Sequence, residues 1–368
     1  MVRASPICCY PCSTYITPLL PAHDLQPSTD TLFTMTNPHA SLRSTGKILT
    51  LGACAWTTLF QVEAWPSGSA KIIPKLAIQI GDGMSASAAC SIAALGGGVT
   101  WWGRVSKDAN GLAAINSIAE TGVDCSQVLW VDGVSGSFCT VLIDDSGERL
   151  VVPRHDPAMP ESAQWLALDQ LPQYALVLTE VRWHAGALAI LKEARRIGIP
   201  GLLDAEVSGP GQLAALCQVA SHLLFSETGL AHWLNLPISH FSSAISTGLP
   251  ALTVHVEAAL RQVLDHTPCA LAGVTLGSAG FYWMERQDDR QDRLLHVEAP
   301  TVTVVDTLAA GDVFHGAYAW AMTQSIDSRE WARIATTAAS LKCQHFGGRL
   351  GAPSFSRLQN ALLQNAFL

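Results

Sequence analysis

The chain has 368 residues, enough for one large α/β domain or two smaller ones. At 49% hydrophobic and 14% charged residues it can build a sizeable core. Its formal net charge of −8 and lack of a basic run exclude a nucleic-acid surface, and no apolar stretch reaches the ~20 residues of a membrane span. The cysteines read as reduced core thiols, which suits a cytoplasmic protein.

Residues 1–46 are rich in Ser, Thr, Pro and Cys and show no sustained periodicity. They are expected to be a disordered arm or a non-native extension, with residues 47–368 forming the working domain. Lys47 to Gly52 reads as a first buried strand ended by glycine. Phe60 to Ile80 lacks a helical stripe and alternates near its end, which predicts short strands that leave the core and return. Lys71 lies in this region, either as a ligand-facing cation or as ordinary solvated surface. Gly81-Asp82-Gly83-Met84-Ser85-Ala86 spells G-x-G-x-x-A and opens a helix to Leu95. Two readings stand for Gly81 and Gly83: close helix–strand packing, or backbone bared to a ligand. Ser137 to Val152 alternates on both sides of Asp145-Ser146-Gly147 and predicts a hairpin.

From Trp165 to Leu264 the pattern is strand, helix, strand, helix, with strands at Tyr174–Val181, Ile199–Asp204 and His222–Ser226. Such alternation implies parallel βαβ units, whose functional side chains gather at the carboxyl ends of strands. Arg182, His184, Asp204, Glu206, Ser226 and Glu227 fall there. An apolar strand then leads to Thr275-Leu276-Gly277, with Gly280 beyond it.

Thr301 to Val305 alternates β-branched residues and reads as a strand; Asp306-Thr307 ends it, and Leu308 to Gly311 is a small-residue turn. Asp312 then begins a small and apolar run to Met322 that reads as a buried helix. A small-residue turn at a helix start bares backbone N–H groups, which the macrodipole makes an anion site. A carboxylate there can accept the proton of an attacking hydroxyl, the general-base role in phosphoryl transfer. The bland alternative is an N-cap Asp after an ordinary turn. Further helices are expected at Ile326–Lys342 and Phe355–Leu363.

Asp306-Thr307-Leu308-Ala309-Ala310-Gly311-Asp312 resembles the D-T-x-G-A-G-D motif of the ribokinase-like (PfkB) carbohydrate kinases. The resemblance spans about residues 47–360. It implies a three-layer α/β/α ribokinase-like fold, with a mostly parallel central sheet and a small β-sheet lid at about 59–80 and 135–153. It implies ATP and Mg2+ as cofactors, a sugar as the small-molecule partner, and a homodimer through the lid. It makes Asp312 the catalytic base and Ala310 and Gly311 the anion hole. Thr275, Gly277, Gly280, Ser226, Glu227 and Thr307 become nucleotide-side residues, and Gly81, Gly83, Ser87, Arg182 and Lys71 sugar-side residues. No protein metal ligands are assigned.

This chain departs from the family pattern at Thr57, where an Asp would grip sugar hydroxyls, and at Asp82, Ser87, Gly229 and Ala309. Arg182, Ser226-Glu227, Lys342-Cys343 and Gly347-Gly348-Arg349 look most like the sulfofructose kinase branch, in which Arg182 would face an anionic end of the substrate. Three further readings stay open: a nucleoside kinase of the same fold, a catalytically weak sugar or nucleotide sensor, and, remotely, a Rossmann dehydrogenase.

Overall fold

The computed structural model describes residues 46–65, 68–287 and 292–365. The arm expected at the amino terminus lies outside the described residues, apart from Gly46. In chain order the strands are β1 (Lys47–Gly52), β2 (Ala55–Gln61), β3 (Leu76–Asp82), β4 (Val99–Ser106), β5 (Val128–Val131), β6 (Phe138–Ile143), β7 (Arg149–Arg154), β8 (Tyr174–Thr179), β9 (Gly201–Ala205), β10 (His222–Ser226), β11 (Leu271–Thr275), β12 (Phe281–Glu285) and β13 (Leu294–Val297). The α-helices are α1 (Met84–Ala94), α2 (Ala109–Ala119), α3 (His184–Ile197), α4 (Gln212–Cys217), α5 (Glu227–Trp233), α6 (His240–Thr247), α7 (Leu249–His266), α8 (Ala310–Met322), α9 (Ser328–Cys343) and α10 (Phe355–Asn365).

Among the described residues, nine strands form one sheet in the order β13-β12-β11-β10-β9-β8-β1-β4-β5. Strands β5 to β11 of this sheet run parallel and only β12 and β13 pair antiparallel. Successive side chains on a strand point to opposite faces. Ile48, Trp101, Leu176, Leu202 and Leu224 pack with α1, α8, α9 and α10 on one face. Their neighbours Leu49, Trp102, Val177, Leu203 and Leu223 pack with α3, α4 and α7 on the other. A sheet buried on both faces needs near-continuous apolar strands, which is why these segments read as unbroken runs.

The smaller sheet has the order β3-β2-β6-β7. It is the expected small sheet, with strands over 55–82 and 138–154 against the expected 59–80 and 135–153, so that Thr57 falls on β2. Its own core is Leu59, Ile80, Val141 and Ile143, and Leu308 and Phe346 pack against it.

One expected strand does not form. Thr301 to Val305 takes no place in either sheet. The backbone N–H groups of Val305 and Asp306 instead donate to the carbonyl of Cys343, at 2.8 and 3.1 Å. Alternating β-branched residues favour extended backbone, but the nearest chain is a helix end and offers one carbonyl, not a ladder. Helices α1 and α8 meet closely: a Cβ on Gly316 would stand 2.4 Å from the Ala88 carbonyl oxygen. That contact sets the position of the start of α8.

Candidate active site

The carboxyl ends of β1, β8, β9, β10 and β11 open onto one cavity of about 1020 Å³, roofed by the lid. This is the position at which parallel α/β sheets bind ligands, and the volume suits two small molecules side by side. A second cavity of about 140 Å³, between Val302, Thr337 and Gln364, has no titratable side chain in its lining.

Asp312 sits in the first turn of α8, half-buried on the cavity wall. Its carboxylate makes no hydrogen bond or ion pair with the described residues. The Ala310 N–H bonds the Thr307 carbonyl at 3.3 Å and the Val313 N–H bonds the Ala309 carbonyl at 2.9 Å. Between them, the N–H groups of Gly311 and Asp312 have no partner among the described residues. A Cβ placed on Gly311 would meet nothing within 4 Å, so the backbone there is bared to open space. Two unpaired amides at a helix start, beside an unpaired carboxylate, can hold an anion and take a proton.

The turn before α8 is strained. Ala309 has φ 61°, the left-handed region. A residue with a Cβ pays about 1–2 kcal/mol there and glycine nothing, so this departure from the family motif has a conformational cost.

A buried network offsets it. Asp306 is fully buried; its Oδ1 accepts the Leu308 N–H at 2.7 Å, and its Oδ2 accepts Gly347 N–H at 3.0 Å and Gly348 N–H at 2.8 Å. The Lys342 ammonium, itself with no exposed surface, reaches the Asp306 carbonyl at 2.5 Å and Oδ2 at 3.2 Å. Burial lowers the lysine's pKa and the Asp306 charge opposes that fall. From the lid, Arg149 donates to the Thr307 hydroxyl at 2.8 Å, and that hydroxyl donates to the Gly147 carbonyl at 3.0 Å. Both edges of the turn are therefore tied, one to α9 and one to the lid.

The cavity floor is acidic. Burial raises the Asp312 pKa well above the usual carboxylate range, and the charges of Asp204 and Asp82 add to it, while Arg149 acts in the opposite sense. Asp204, also buried, is raised by its burial and then by Glu206 and Glu180. His315, one turn below Asp312, lies with Nδ1 2.7 Å from the Gly311 carbonyl and 3.4 Å from Asp204 Oδ2. Burial lowers its pKa, and its Nε2 lies 3.3 Å from the Leu224 carbonyl, so the ring sits between the head of α8 and the ends of β9 and β10. Glu180 is buried and accepts the backbone N–H groups of Ala53, at 2.8 Å, and of Arg182. It fits only because residue 52 is glycine: a Cβ there would stand 2.1 Å from the carboxylate.

Of the residues singled out from sequence, Ala310, Gly311, Asp312, Thr307, Thr275, Gly277, Gly280, Ser226, Glu227, Gly83 and Arg182 all line this cavity. Ser226 caps α5, accepting Gly229 N–H at 2.9 Å. The Glu227 carboxylate is engaged by the Ser242 backbone N–H at 2.8 Å and by its hydroxyl. Arg182 donates to the Val207 carbonyl at 3.1 Å rather than pairing with Glu206. Three expected sugar-side residues stand elsewhere. Gly81 packs against α2, where a Cβ would stand 2.2 Å from the Ala114 carbonyl oxygen, so helix–strand packing accounts for it. Ser87 is fully buried behind the wall and donates to Asp82 at 2.5 Å. Lys71 is exposed in the connection between β2 and β3 and is not part of the lining. Asp82, Arg149, His155 and His315 line the cavity without having been picked out as site residues. Arg149 lies on the hairpin expected at 137–152, whose pattern does not single it out, and its contact with Thr307 depends on how the lid folds over the turn.

A cleft of this shape, with bared amides and a free carboxylate at a helix start, defines a phosphotransferase-type α/β site. The sequence profile of the pfkB family carbohydrate kinases matches residues 57–354. The ribokinase of Lactococcus lactis subsp. lactis is 23% identical over 318 residues, covering 86% of this chain and 97% of that protein. A crystal structure assigned as a ribokinase candidate from Agrobacterium tumefaciens is 33% identical, with TM-score 0.77, over 88% of this chain and 99% of the other. Arabidopsis thaliana ribokinase, solved with ribose and ATP, shares the fold at 22% identity and TM-score 0.68, over 86% and 98% of the two chains. The chain belongs to the pfkB family of carbohydrate kinases.

Two expectations follow from the geometry. Lys342→Met leaves the Asp306 charge buried and uncompensated and is expected to cost about 3–5 kcal/mol of stability; urea denaturation measures it, and a loss below about 1 kcal/mol refutes the network. With Asp312 as the proposed base, active when ionised and raised in pKa, the acid limb of the kcat/KM profile is expected above the usual carboxylate range of about 4. Asp204→Asn removes a neighbouring negative charge and is expected to move that limb to lower pH; an upward move contradicts the assignment.

Proposed function

We propose that this kinase transfers the γ-phosphoryl group of ATP to a hydroxyl of a ketose or ketose derivative bearing an anionic group. The observation that carries the transfer step is the unpaired Asp312 carboxylate beside the unpaired N–H groups of Gly311 and Asp312. The substrate hydroxyl gives its proton to Asp312 as its oxygen attacks phosphorus. The two amides face the charge on the transferring group, where preorganised donors act most strongly. Gly277 supports the nucleotide reading: a Cβ there would meet nothing within 4 Å, so the backbone lies open to a ligand. Asp204 and Glu206, which line the cavity, would hold Mg2+, and the ion would supply charge neutralisation. Among the described residues no three Asp, Glu, His or Cys side chains form a metal cage.

The anionic reading rests on Arg182 and His155, which share one end of the cavity. His155 is held below its usual pKa by burial and then by the positive charges of Arg182 and Arg154, so positive potential gathers at that end. A guanidinium fork suits phosphate or sulfonate oxygens. We also propose that a second copy covers the lid, where Leu76, Phe138, Leu150 and Val152 are exposed. Among the described residues the seven cysteines are free thiols, which supports a cytoplasmic setting.

Asp312→Asn is expected to lower kcat by roughly 10²–10⁴-fold. It is also expected to melt no lower than the wild type. A carboxyl whose native pKa is raised keeps its proton to higher pH in the folded chain than in the unfolded one. Ionising it therefore costs stability as pH rises through the native value, and a neutral amide escapes that cost. Retained turnover would remove Asp312 from the mechanism. Arg182→Met is expected to raise KM at least about tenfold for sugar phosphates and sulfonates while changing KM for neutral ketoses little; equal effects on both would refute the anionic reading.

A further inference from the structure

Asp82 is a carboxylate that the cavity leaves without a cation. It ends β3, half-buried, and lines the same cavity as Asp312, Thr57 and Gly83. Its Oδ1 accepts the Ser87 hydroxyl at 2.5 Å, and it makes no ion pair with the described residues. Ser87 lies one turn into α1 and has no exposed surface, so it touches Asp82 and not the ligand space. Antiparallel pairing of β2 with β3 sets Ala55 opposite Asp82 and Thr57 opposite Ile80. The Thr57 side chain thus enters the same end of the cavity two residues along, and it offers a hydroxyl but no charge.

An ionised carboxylate accepts hydrogen bonds and donates none, with about four lone-pair sites on two oxygens. Ser87 fills one of them. The rest face a cavity with no lysine or arginine paired to them. The chemistry that satisfies such a group is a pair of hydroxyl donors on adjacent carbons, since charge-assisted O–H···O⁻ bonds are short and strong. Asp82 and Asp312 line the same cavity, so one small molecule bound there is open to both.

We propose that Asp82 grips two vicinal hydroxyls of the acceptor sugar and that Ser87, behind the wall, is the positioning residue that aims it. Arg182 and His155 take the anionic end, Asp82 takes the diol, and the remaining hydroxyl is presented to Asp312. The carboxylate selects polyols over deoxy analogues, because a missing hydroxyl leaves it unpaired in a partly desolvated site. Hydroxyl readout at this position rests on the kinase reading of the cavity.

The test measures kcat and KM for sugar and for ATP with D-fructose, D-ribose, their terminal phosphates and the matching deoxy sugars. Asp82→Asn is expected to raise KM for the best sugar at least about tenfold, to leave KM for ATP within about twofold, and to flatten the preference over the deoxy sugar. Ser87→Ala is expected to raise sugar KM by a smaller factor. The double variant is expected to be no worse than Asp82→Asn alone, since Ser87 acts only through that carboxylate. Additive losses overturn the positioning role. Unchanged sugar KM and unchanged deoxy discrimination in Asp82→Asn overturn the proposal while leaving the kinase reading intact. A wild type that neither phosphorylates nor is thermally stabilised by any of these sugars overturns both. Should Asp82→Asn fold poorly, Asp82→Ser keeps a hydroxyl in place of the charge and is held to the same outcomes.

Discussion

A carboxylate that never meets water holds this catalytic centre in shape. Asp306 accepts hydrogen bonds from three backbone N–H groups and from the Lys342 ammonium. The turn that follows contains a left-handed alanine and two amides left without partners. Neither feature is stable alone; each persists because the surrounding structure over-determines it. Lys342 sits at the end of α9, Gly347 and Gly348 in the turn after it, and Leu308 under the lid. The anion-holding turn therefore depends on three separate parts of the fold meeting at one oxygen pair.

The same compactness explains the acid–base character of the floor. Asp82, Asp204, Glu206 and Asp312 share one cavity; burial raises the pKa of Asp312, and the charges of Asp204, Asp82 and Glu180 add to it. A base of raised pKa takes a proton from an alcohol more readily than an ordinary carboxylate does. Arg149 opposes the rise and is delivered by the lid hairpin through Thr307. The lid and Asp312 are thus electrostatically linked.

Departures from the family motifs have physical counterparts. Ala309 takes the strained conformation that glycine would take freely, under the restraint just described. Thr57 carries no charge, while Asp82 and Ser87 together place one on the same cavity end. A sequence comparison position by position scores these as losses. In three dimensions two of them form a single hydrogen-bonded unit.

Local pattern determined a good deal here. Unbroken apolar strands alternating with helices imply a parallel sheet covered on both faces, because no other arrangement buries them. The turn from Asp306 to Asp312 announces an anion site, because small residues before a helix bare its first amides. The strand expected at 301–305 shows the limit: β-branched alternation is a preference, and it yields where no neighbouring strand supplies a ladder. Which groups meet inside the cavity was a matter for tertiary structure. Gly81 and Gly83 look equivalent in the chain, yet Gly81 packs against the Ala114 carbonyl of α2, while Gly83 packs against the Ala53 carbonyl and also lines the cavity. Lys71 stands out in the chain as a candidate ligand-facing cation and Arg149 does not, yet it is Arg149 that the lid brings to Thr307 before α8. Spacing along the chain records which residues share an element, whereas charge coupling and hydrogen bonding depend on distances across elements that the sequence does not contain.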